Sequence, residues 1–288
     1  MSLIQWQHFD AAQLHWLAEL QRQVYAALQA VAATLASGDT ERDVVRRIHR
    51  ALRPLGLQSY FHVPVALFGE RTAYPGRFGQ FEALATERAL KPGDAVILDA
   101  APLIDGFTVD CSYAVPPPAG SAAAAAFSEG DAMLAELRAL ILERARAGAN
   151  MRAVAREVDT FITQRGFENC HRKHIGQVLA HRITRAQPAF IARRRVKGLN
   201  PAVVAWFFTR SARAANGRAD LTPNWNQTRQ SDTPVASGLW AVEPHLARDG
   251  VGLKFEEVLV VDEQGARYLD DTLPHVQRWQ HSAQHPGE

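Results

Sequence analysis

The pattern of apolar positions divides the chain into helical and extended blocks. From residue 10 to 36, apolar side chains recur at steps of three and four, the spacing of one buried helix face. A second helix is predicted to begin after the N-cap Thr40, with Asp43 three residues on, and to end at Pro54–Gly56. Two further helices are predicted over about 127–147 and 150–166.

Elsewhere the period changes to that of strands. "QSYFHVPVALFG" (58–69) predicts one strand, and residues 94–115 predict a hairpin that turns at the Asp-Gly pair of "IDGF". Strands are predicted again at 239–246, 253–261 and 266–269. The order of helices, strands, helices and strands predicts an α+β protein with an antiparallel sheet, not the parallel sheet of a βαβ alternation.

One long segment has no clean period. Residues 184–236 are rich in Arg, Asn, Gln, Pro and Trp, and "HIGQVLAHRI" (174–183) before them fits either a strand or an extended loop. The aromatic residues of the segment, among them Trp206 and Trp225, either wall a pocket or form a dimer contact. The alternative is a surface excursion that packs on the sheet, and the sequence favours neither.

Composition and charge narrow the classes of function. With 288 residues, 47% hydrophobic and 22% charged, the chain has the composition of a soluble globular protein with a sizeable core. A net charge of +2 gives no reason to predict a nucleic-acid partner, and the basic run 191–198 is best explained as a solvated face. The apolar run 201–208 is too short to span a membrane, and the N-terminus lacks the pattern of a signal peptide. Two cysteines without a CxxC motif suit a reducing compartment, so a cytoplasmic location is predicted.

Four carboxylates stand within or beside apolar strands. Asp99 in "VILDAA" and Asp110 in "FTVDCS" lie on opposite arms of the predicted hairpin, and Glu243 in "LWAVEP" and Glu256 in "KFEEVLVV" repeat the pattern. An unpaired charge in a buried strand is costly, and carboxylates packed together repel unless cations neutralise them. The alternative is that the hairpin acids are simply exposed. An oxygen-rich site of this kind suits Mn, Fe, Co or Zn.

Two histidines can add nitrogen to such a site. His174 and His181 lie seven residues apart in "KHIGQVLAH". A lone histidine on an apolar strand is more often a satisfied core residue than a ligand. Beside four buried acids, however, an imidazole favours the carboxylate-rich centre of a two-metal hydrolase.

These motifs, taken in order, resemble the pita-bread metallopeptidases, which include methionine aminopeptidase, aminopeptidase P, prolidase and creatinase. The matching pieces are "LDAAPLIDGFTVDCS", "HIGQVLAH", "AVEP" and "KFEEVLVVDEQG", and the resemblance covers roughly residues 35 to 270. It implies a curved antiparallel sheet flanked by helices over residues 37–272, with an insert at about 184–236. Residues 1–36 would form a helical extension and residues 273–288 a C-terminal tail.

The resemblance also implies a set of roles. Two divalent ions (Mn, Co, Fe or Zn) would be held by Asp99, Asp110, His174, Glu243 and Glu256, with Asp110 and Glu256 bridging. His181 would contact the substrate rather than a metal, and Glu243 would also serve as a proton shuttle. The implied function is a metal-dependent hydrolase of a small peptide, an aminopeptidase or a Xaa-Pro-type peptidase, with a homodimer as one assembly.

Several positions depart from the family pattern. Gly76 stands where the family has a pocket histidine, Lys254 stands where the proline-specific members have arginine, and "EPHL" replaces "EPG". These departures keep open a creatinase-like or biosynthetic hydrolase of a small non-peptide C–N substrate. A binding module of the same fold without activity is a third hypothesis, which the intact ligand positions argue against. The candidate substrate contacts are His62, Lys254, Trp206 and Trp225.

Overall fold

The computed structural model describes residues 3–76, 82–187 and 198–284. Most of the basic run 191–198 lies outside these ranges. The α-helices of the described residues are α1 (Ala11–Ala32), α2 (Glu41–Leu52), α3 (Ala124–Arg146), α4 (Met151–Gln164), α5 (Pro201–Ala215) and α6 (Pro274–Gln284).

The strands of the described residues are mostly short. They are β1 (Ile4–Gln5), β2 (Leu57–Tyr60), β3 (Val65–Phe68), β4 (Val96–Ala100), β5 (Pro102–Ile104), β6 (Phe107–Thr108), β7 (Cys111–Val115), β8 (Glu168–Asn169), β9 (Ala180–Arg182), β10 (Arg185–Ala186), β11 (Asn224–Trp225), β12 (Gly238–Val242), β13 (His245–Arg248), β14 (Val251–Asp262) and β15 (Gly265–Tyr268).

The four helices predicted from periodicity are confirmed as α1 to α4. The predicted N-cap of α2 is confirmed as well. The Thr40 side chain accepts from the Asp43 backbone N–H, and the Asp43 side chain accepts in return from the Thr40 N–H. This reciprocal pair satisfies two of the backbone donors that every helix start leaves free.

The strands form two antiparallel sheets. One has five strands in the order β1-β10-β6-β5-β2. The other runs β11-β9-β12-β14-β7-β4-β3, with β13 and β15 also paired to β14 and β8 paired to β13. The prediction of an antiparallel α+β arrangement is therefore confirmed. The 12-residue strand β14 connects the second sheet, because it pairs with β7, β12, β13 and β15.

Three strand predictions need correction. Residues 239–246 do not form one strand, because β12 ends at Val242 and β13 begins at His245, after Pro244.

Residues 58–69 do not form one strand, because the chain bends after β2 at residues 61–64 and β3 then enters the other sheet. Pro64, which lacks a backbone N–H, stands at this bend. Residues 94–115 likewise divide into β4 to β7. The predicted Asp-Gly turn is confirmed, since Asp105 and Gly106 both have positive φ (46° and 80°), as a type I′ turn requires.

Helices cover the sheets, and the two larger of the three apolar clusters in the described residues lie between helices and sheet. One core joins α3 and α4 to alternate residues of β14, Leu253, Phe255 and Leu259. The other joins α1 and α2 to β4 and to Val258 and Val260 of β14. The segments predicted as an N-terminal extension and a C-terminal tail are packed into these cores. α1 contributes eight buried residues, and His275 of α6 stacks on Phe255 with ring centroids 5.3 Å apart.

The insert contributes both a helix and part of the core. Trp225 is 0% exposed, packs against Trp240, and donates its indole N–H to the Met151 carbonyl at 2.7 Å. The structure therefore contradicts the prediction that Trp225 contacts substrate, because the side chain is fully enclosed. Trp206 on α5 packs against Trp6, with ring centroids 6.2 Å apart.

A close backbone approach at Gly252 gives a test of this packing. A Cβ at Gly252 would lie 1.9 Å from the Thr72 carbonyl oxygen and 2.7 Å from the Ala73 nitrogen, and these backbone atoms have little room to move. We expect Gly252→Ala to lower the free energy of unfolding by about 1–3 kcal/mol or more, as overpacking does. Urea denaturation measures this change.

Gly130→Ala is the matched control. A Cβ at Gly130 would meet only side-chain ends, the nearest being Leu253 Cδ1 at 2.9 Å, and these can shift. Alanine is also favoured over glycine within a helix such as α3. If Gly252→Ala proved no more destabilising than Gly130→Ala, the close approach of β14 to residues 72–73 would be contradicted.

Candidate metal centre

Sheet register brings two of the predicted carboxylates to one face. Asp99 on β4 lies opposite Ser112 on β7, and Ser112 lies opposite Glu256 on β14. Directly paired residues of an antiparallel sheet project from the same face, so Asp99 and Glu256 flank Ser112 on one side. Asp110 immediately precedes β7 and is fully buried there.

The other predicted residues reach the cluster from the strands on the far side of β14. Glu243 follows β12, and its backbone N–H donates to the Leu179 carbonyl at 2.9 Å. His181 on β9 lies opposite Ala241 on β12. The structure thus brings together Asp99, Asp110, Glu243, Glu256 and His181 from strands far apart in sequence.

Lys254 lies within this cluster. It stands two residues before Glu256 on β14 and therefore projects from the same face. Its ammonium Nζ donates to Asp99 Oδ2 at 2.8 Å, to Glu243 Oε2 at 2.9 Å and to Glu256 Oε2 at 3.1 Å. Burial lowers the pKa of Lys254, but the three carboxylates outweigh it and hold the pKa well above its ordinary value. The side chain is 3% exposed and its ammonium group is held by the acids, so contact between Lys254 and a substrate stays a prediction.

His181 is oriented as metal-binding histidines are. Its Nδ1 faces the Arg182 carbonyl at 3.3 Å, and a carbonyl only accepts, so Nδ1 carries the proton. The Nε2 atom then faces Asp110 Oδ2 at 3.2 Å and Glu256 Oε1 at 3.3 Å. Burial lowers the pKa of His181, but Asp110 and Glu256 outweigh it and hold the pKa well above its ordinary value, so without a metal Nε2 carries a proton, whose place a bound ion would take. A metal-bound histidine typically donates its other ring N–H to a carbonyl in this way.

His62 has a similar orientation on the opposite side of Asp110. Its Nδ1 faces the Val63 carbonyl at 2.9 Å, and its Nε2 lies 3.2 Å from Asp110 Oδ1 and 3.4 Å from Asp99 Oδ1. Burial lowers the pKa of His62, but the charge and hydrogen bond of Asp110 raise it to about 10. His62 follows β2 rather than lying within a strand, and its side chain is 38% exposed.

Three carboxylate oxygens of the cluster are buried and find no hydrogen-bond partner among the described residues. They are Asp99 Oδ1, Asp110 Oδ2 and Glu256 Oε1. Buried polar atoms are nearly always satisfied, so each unsatisfied oxygen calls for a physical explanation. Each lies 3.2–3.4 Å from a histidine Nε2, as in an ion pair when the histidine is protonated.

The donor set fits divalent metal ions. Two groups of described residues place one ligand atom each within 4.8 Å of the others: His62 with Asp99 and Asp110, and His181 with Asp110 and Glu256. Ligands that lie roughly 2.0–2.2 Å from one ion at tetrahedral or octahedral angles are roughly 2.8–3.6 Å apart. The separations of 3.2–3.4 Å satisfy this condition. Mixed imidazole and carboxylate donors suit Zn, Mn, Fe and Co.

His174 stands outside both groups. Its Nδ1 lies 3.0 Å from Glu243 Oε2, and its Nε2 lies 3.1 Å from His245 Nδ1. His245 Nε2 in turn lies 2.7 Å from the Thr72 carbonyl oxygen and donates to it, so His174 Nε2 donates to His245. The remaining contact, between His174 Nδ1 and Glu243, requires one proton between the two groups.

His174 thus reaches the cluster through Glu243, whereas His181 faces the oxygens of Asp110 and Glu256.

The carboxylates of the cluster differ in their affinity for protons. Burial and the charge of Asp110 raise the pKa of Glu256 to about 8. Burial also disfavours ionised Glu243, but Lys254 and His174 outweigh this and hold its pKa well below the ordinary value. The pKa of Asp110 is lowered as well, because His62 and His181 outweigh its burial. The centre thus combines Glu256, whose pKa lies near neutral pH, with Glu243 and Asp110, which stay ionised at that pH.

Two phenylalanines line the side of the centre at His181. Phe61 lies 5.4 Å from the His181 ring and 5.3 Å from Phe207, and Phe207 lies 6.1 Å from His181, all measured between ring centroids. Phe207 belongs to α5, so the insert does reach the site. Trp206 turns instead toward Trp6 and an apolar cluster with Ile4 and Leu103.

Sequence reasoning missed the roles of His245 and Phe61. The signal for His245 was present in "EPHL", because a histidine directly after Glu243-Pro244 on an apolar strand has to find a partner. The signal for Lys254 was its position two residues from Glu256, which places both on one face of a strand. Nothing in the sequence around Phe61 indicates that its ring lies against His181.

An antiparallel sheet system covered by helices around a carboxylate–histidine cluster is the arrangement that the pita-bread resemblance predicts. Residues 16–263 match the model of metallopeptidase family M24, and the chain belongs to this family. The predicted pita-bread fold and family resemblance are thereby confirmed. No curated protein is similar enough in sequence to count as a match.

Solved structures agree on the fold. The X-Pro aminopeptidase from Thermotoga maritima MSB8 has a TM-score of 0.63 at 18% identity, with 94% of this chain and 64% of that chain covered. For the dipeptidase PepE from Mycobacterium ulcerans the values are 0.62, 18%, 92% and 59%, and for the prolidase from Pyrococcus furiosus they are 0.61, 15%, 93% and 65%. The chain thus spans about six-tenths of the length of these proteins.

The described helices also bear on a membrane location. Within residues 3–76, 82–187 and 198–284, none of the helices combines the length and the apolar character that crossing a bilayer demands.

The raised pKa of Glu256 predicts how metal affinity depends on pH. A carboxyl group must lose its proton to bind a metal, and Glu256 holds a proton below about pH 8. We expect the proton that Glu256 loses to make the affinity for Mn²⁺ or Zn²⁺ rise by up to about tenfold per pH unit between pH 6 and 8, and the proton that His181 loses to add to this rise. Competition with a chelator of known affinity measures this rise.

Proton release provides the check on this explanation. Calorimetry in buffers of different ionisation enthalpy should show protons leaving the protein as the metal binds, and fewer above pH 8 than below. An affinity that stays constant from pH 6 to 8, or binding without proton release, would contradict the assignment of Glu256 as a protonated ligand.

Proposed function

We propose that the protein is a metal-dependent hydrolase of the amide bond in a small peptide, acting as an aminopeptidase or a Xaa-Pro-type peptidase. The observation that carries the proposal is the buried group Asp110, His181 and Glu256, in the fold of a metallopeptidase family. Two of its carboxylate oxygens have no hydrogen-bond partner within the part of the chain that the structure describes, and a backbone carbonyl holds its imidazole with Nε2 turned inward.

The metal would be held by Asp110, His181 and Glu256, with His62 and Asp99 forming the adjacent group. When bound, a divalent ion supplies Lewis acidity and lowers the pKa of water. The tasks that remain for the protein are to move protons, to exclude bulk water and to orient the substrate.

Glu243 is the proton-transferring group in this proposal. Lys254 and His174 fix its Oε2 atom, while its Oε1 atom faces His181 Nε2 at 3.9 Å. Because its pKa is held low, Glu243 is ionised at neutral pH and can accept a proton from the attacking water. The same carboxyl can then return the proton to the leaving amine.

The substrate reaches the centre on the side of His62. The side chain of His62 is 38% exposed, whereas those of Asp99, Asp110, His174, His181, Glu243, Lys254 and Glu256 are at most 11% exposed. His62 is therefore the cluster residue placed to touch substrate. Phe61 and Phe207 shield the centre at His181 and limit the space for water.

A panel of peptides and small amides tests the activity. We expect release of the N-terminal residue from short peptides, Xaa-Pro peptides included, after loading with Mn, Co, Fe or Zn. Asp110→Asn should lower kcat/KM by more than the roughly 10–100-fold that loss of an outer partner costs, because Asp110 belongs to both metal groups.

The same panel separates the rival functions. Turnover of a small non-peptide amide with no peptide cleaved would favour the creatinase-like alternative. If Asp110→Asn retained full activity, the metal would have no part in the reaction and the proposal would fail.

The two histidines give a second prediction. We expect His181→Ala to weaken metal binding far more than His174→Ala, because His181 Nε2 faces two ligand oxygens and His174 reaches the centre only through Glu243. Loss of His174 should cost about 10–100-fold in affinity at most, as removal of an outer partner does. Chelator competition measures both variants. A larger loss in His174→Ala would restore the role that the family resemblance implies for His174.

A further inference from the structure

We infer that Lys254 takes the place of one of the two cations that the family resemblance implies, so that the centre holds a single divalent ion at Asp110, His181 and Glu256. This inference rests on the proposed function only in taking the centre to bind metal. It concerns the number of ions and the residues that set it, and makes no use of turnover.

The contacts of Lys254 carry the inference. An ammonium group has three donors, and in this structure each finds a carboxylate oxygen, on Asp99, Glu243 and Glu256. The group is thus fully satisfied while only 3% exposed. A second ion bound by these same oxygens would have to lie against the ammonium, and repulsion between buried like charges opposes that arrangement.

On the side of Asp99, protein nitrogens already lie next to both carboxylate oxygens. Its Oδ2 accepts from Lys254 at 2.8 Å, and its Oδ1 faces His62 Nε2 at 3.4 Å. His62 also hydrogen-bonds to Asp110 Oδ1 at 3.2 Å. An ion between His62, Asp99 and Asp110 would break this hydrogen bond. It would also share the Asp99 carboxylate with the Lys254 ammonium.

On the other side of the cluster no ammonium group reaches the carboxylate oxygens. Among the described residues, Asp110 Oδ2 and Glu256 Oε1 have no hydrogen-bond partner, and their nearest nitrogen is His181 Nε2, at 3.2 and 3.3 Å. Lys254 contacts Glu256 only through the other oxygen, Oε2. One complete set of ligand atoms therefore remains, and it is the fully buried one of the two groups.

Metal content per chain tests the inference directly. Wild-type protein saturated with Mn²⁺ or Co²⁺ and freed of excess metal should contain one ion per chain by elemental analysis. Lys254→Met removes the ammonium and keeps an unbranched side chain, so we expect it to bind a second ion. Lys91→Met is the matched control, since Lys91 is exposed, and it should stay at one ion. Two ions in the wild type, or one in Lys254→Met, would overturn the inference.

Diffraction from the wild type keeps the inference testable if Lys254→Met does not fold. Data at the absorption edge of cobalt should show one anomalous peak, in contact with Asp110, His181 and Glu256, with Lys254 Nζ still hydrogen-bonded to Asp99. A second peak against Asp99, or Lys254 displaced from the carboxylates, would contradict it. Both measurements are independent of activity, so a protein that cleaves no peptide can still confirm the single ion.

Discussion

The mutual repulsion of four buried carboxylates is the constraint on which this molecule depends. Asp99, Asp110, Glu243 and Glu256 are each at most 7% exposed, and their side chains meet within one cluster. Charges removed from water are costly, and like charges together are more so. Side chains of the protein itself offset this repulsion. Lys254 donates to three of the acids, and His62 and His181 lie against Asp110. The carboxylate oxygens that these groups leave without a hydrogen bond among the described residues are the atoms available to a metal ion.

The register of the sheet decides which side chains of β14 enter the cluster. A shift of β14 by one residue would turn Lys254 and Glu256 to the opposite face and bring Phe255 and Glu257 into the cluster. The register is fixed because β14 pairs with four strands and packs through its alternate residues against α3. On that opposite face Glu257 is paired with Arg138 of α3 at 2.6 Å, so adjacent acids of one strand have separate partners.

Two departures from the family pattern prove to be neighbours. His245, which interrupts the usual "EPG", lies directly opposite Lys254 in the pairing of β13 with β14. Lys254 and His174 contact the same oxygen of Glu243, and His245 supports His174 from behind. Lys254 therefore holds the Glu243 carboxylate directly, and His245 holds it through His174. Both departures thus surround the acids that the family resemblance identifies as ligands.

The sequence by itself determined the helices, the antiparallel α+β class, the Asp-Gly turn and the four acids that had to find a cation. These follow from local periodicity and from the cost of burying a charge in an apolar strand. Only the tertiary structure decided that His181 rather than His174 faces the shared oxygens, that Lys254 is buried among the acids, and that Trp225 belongs to the core while Phe207 reaches the site. Each of these depends on strand register or on contacts between residues far apart in the chain. The spacing of residues along one strand does not reveal which nitrogen reaches which oxygen across a neighbouring strand.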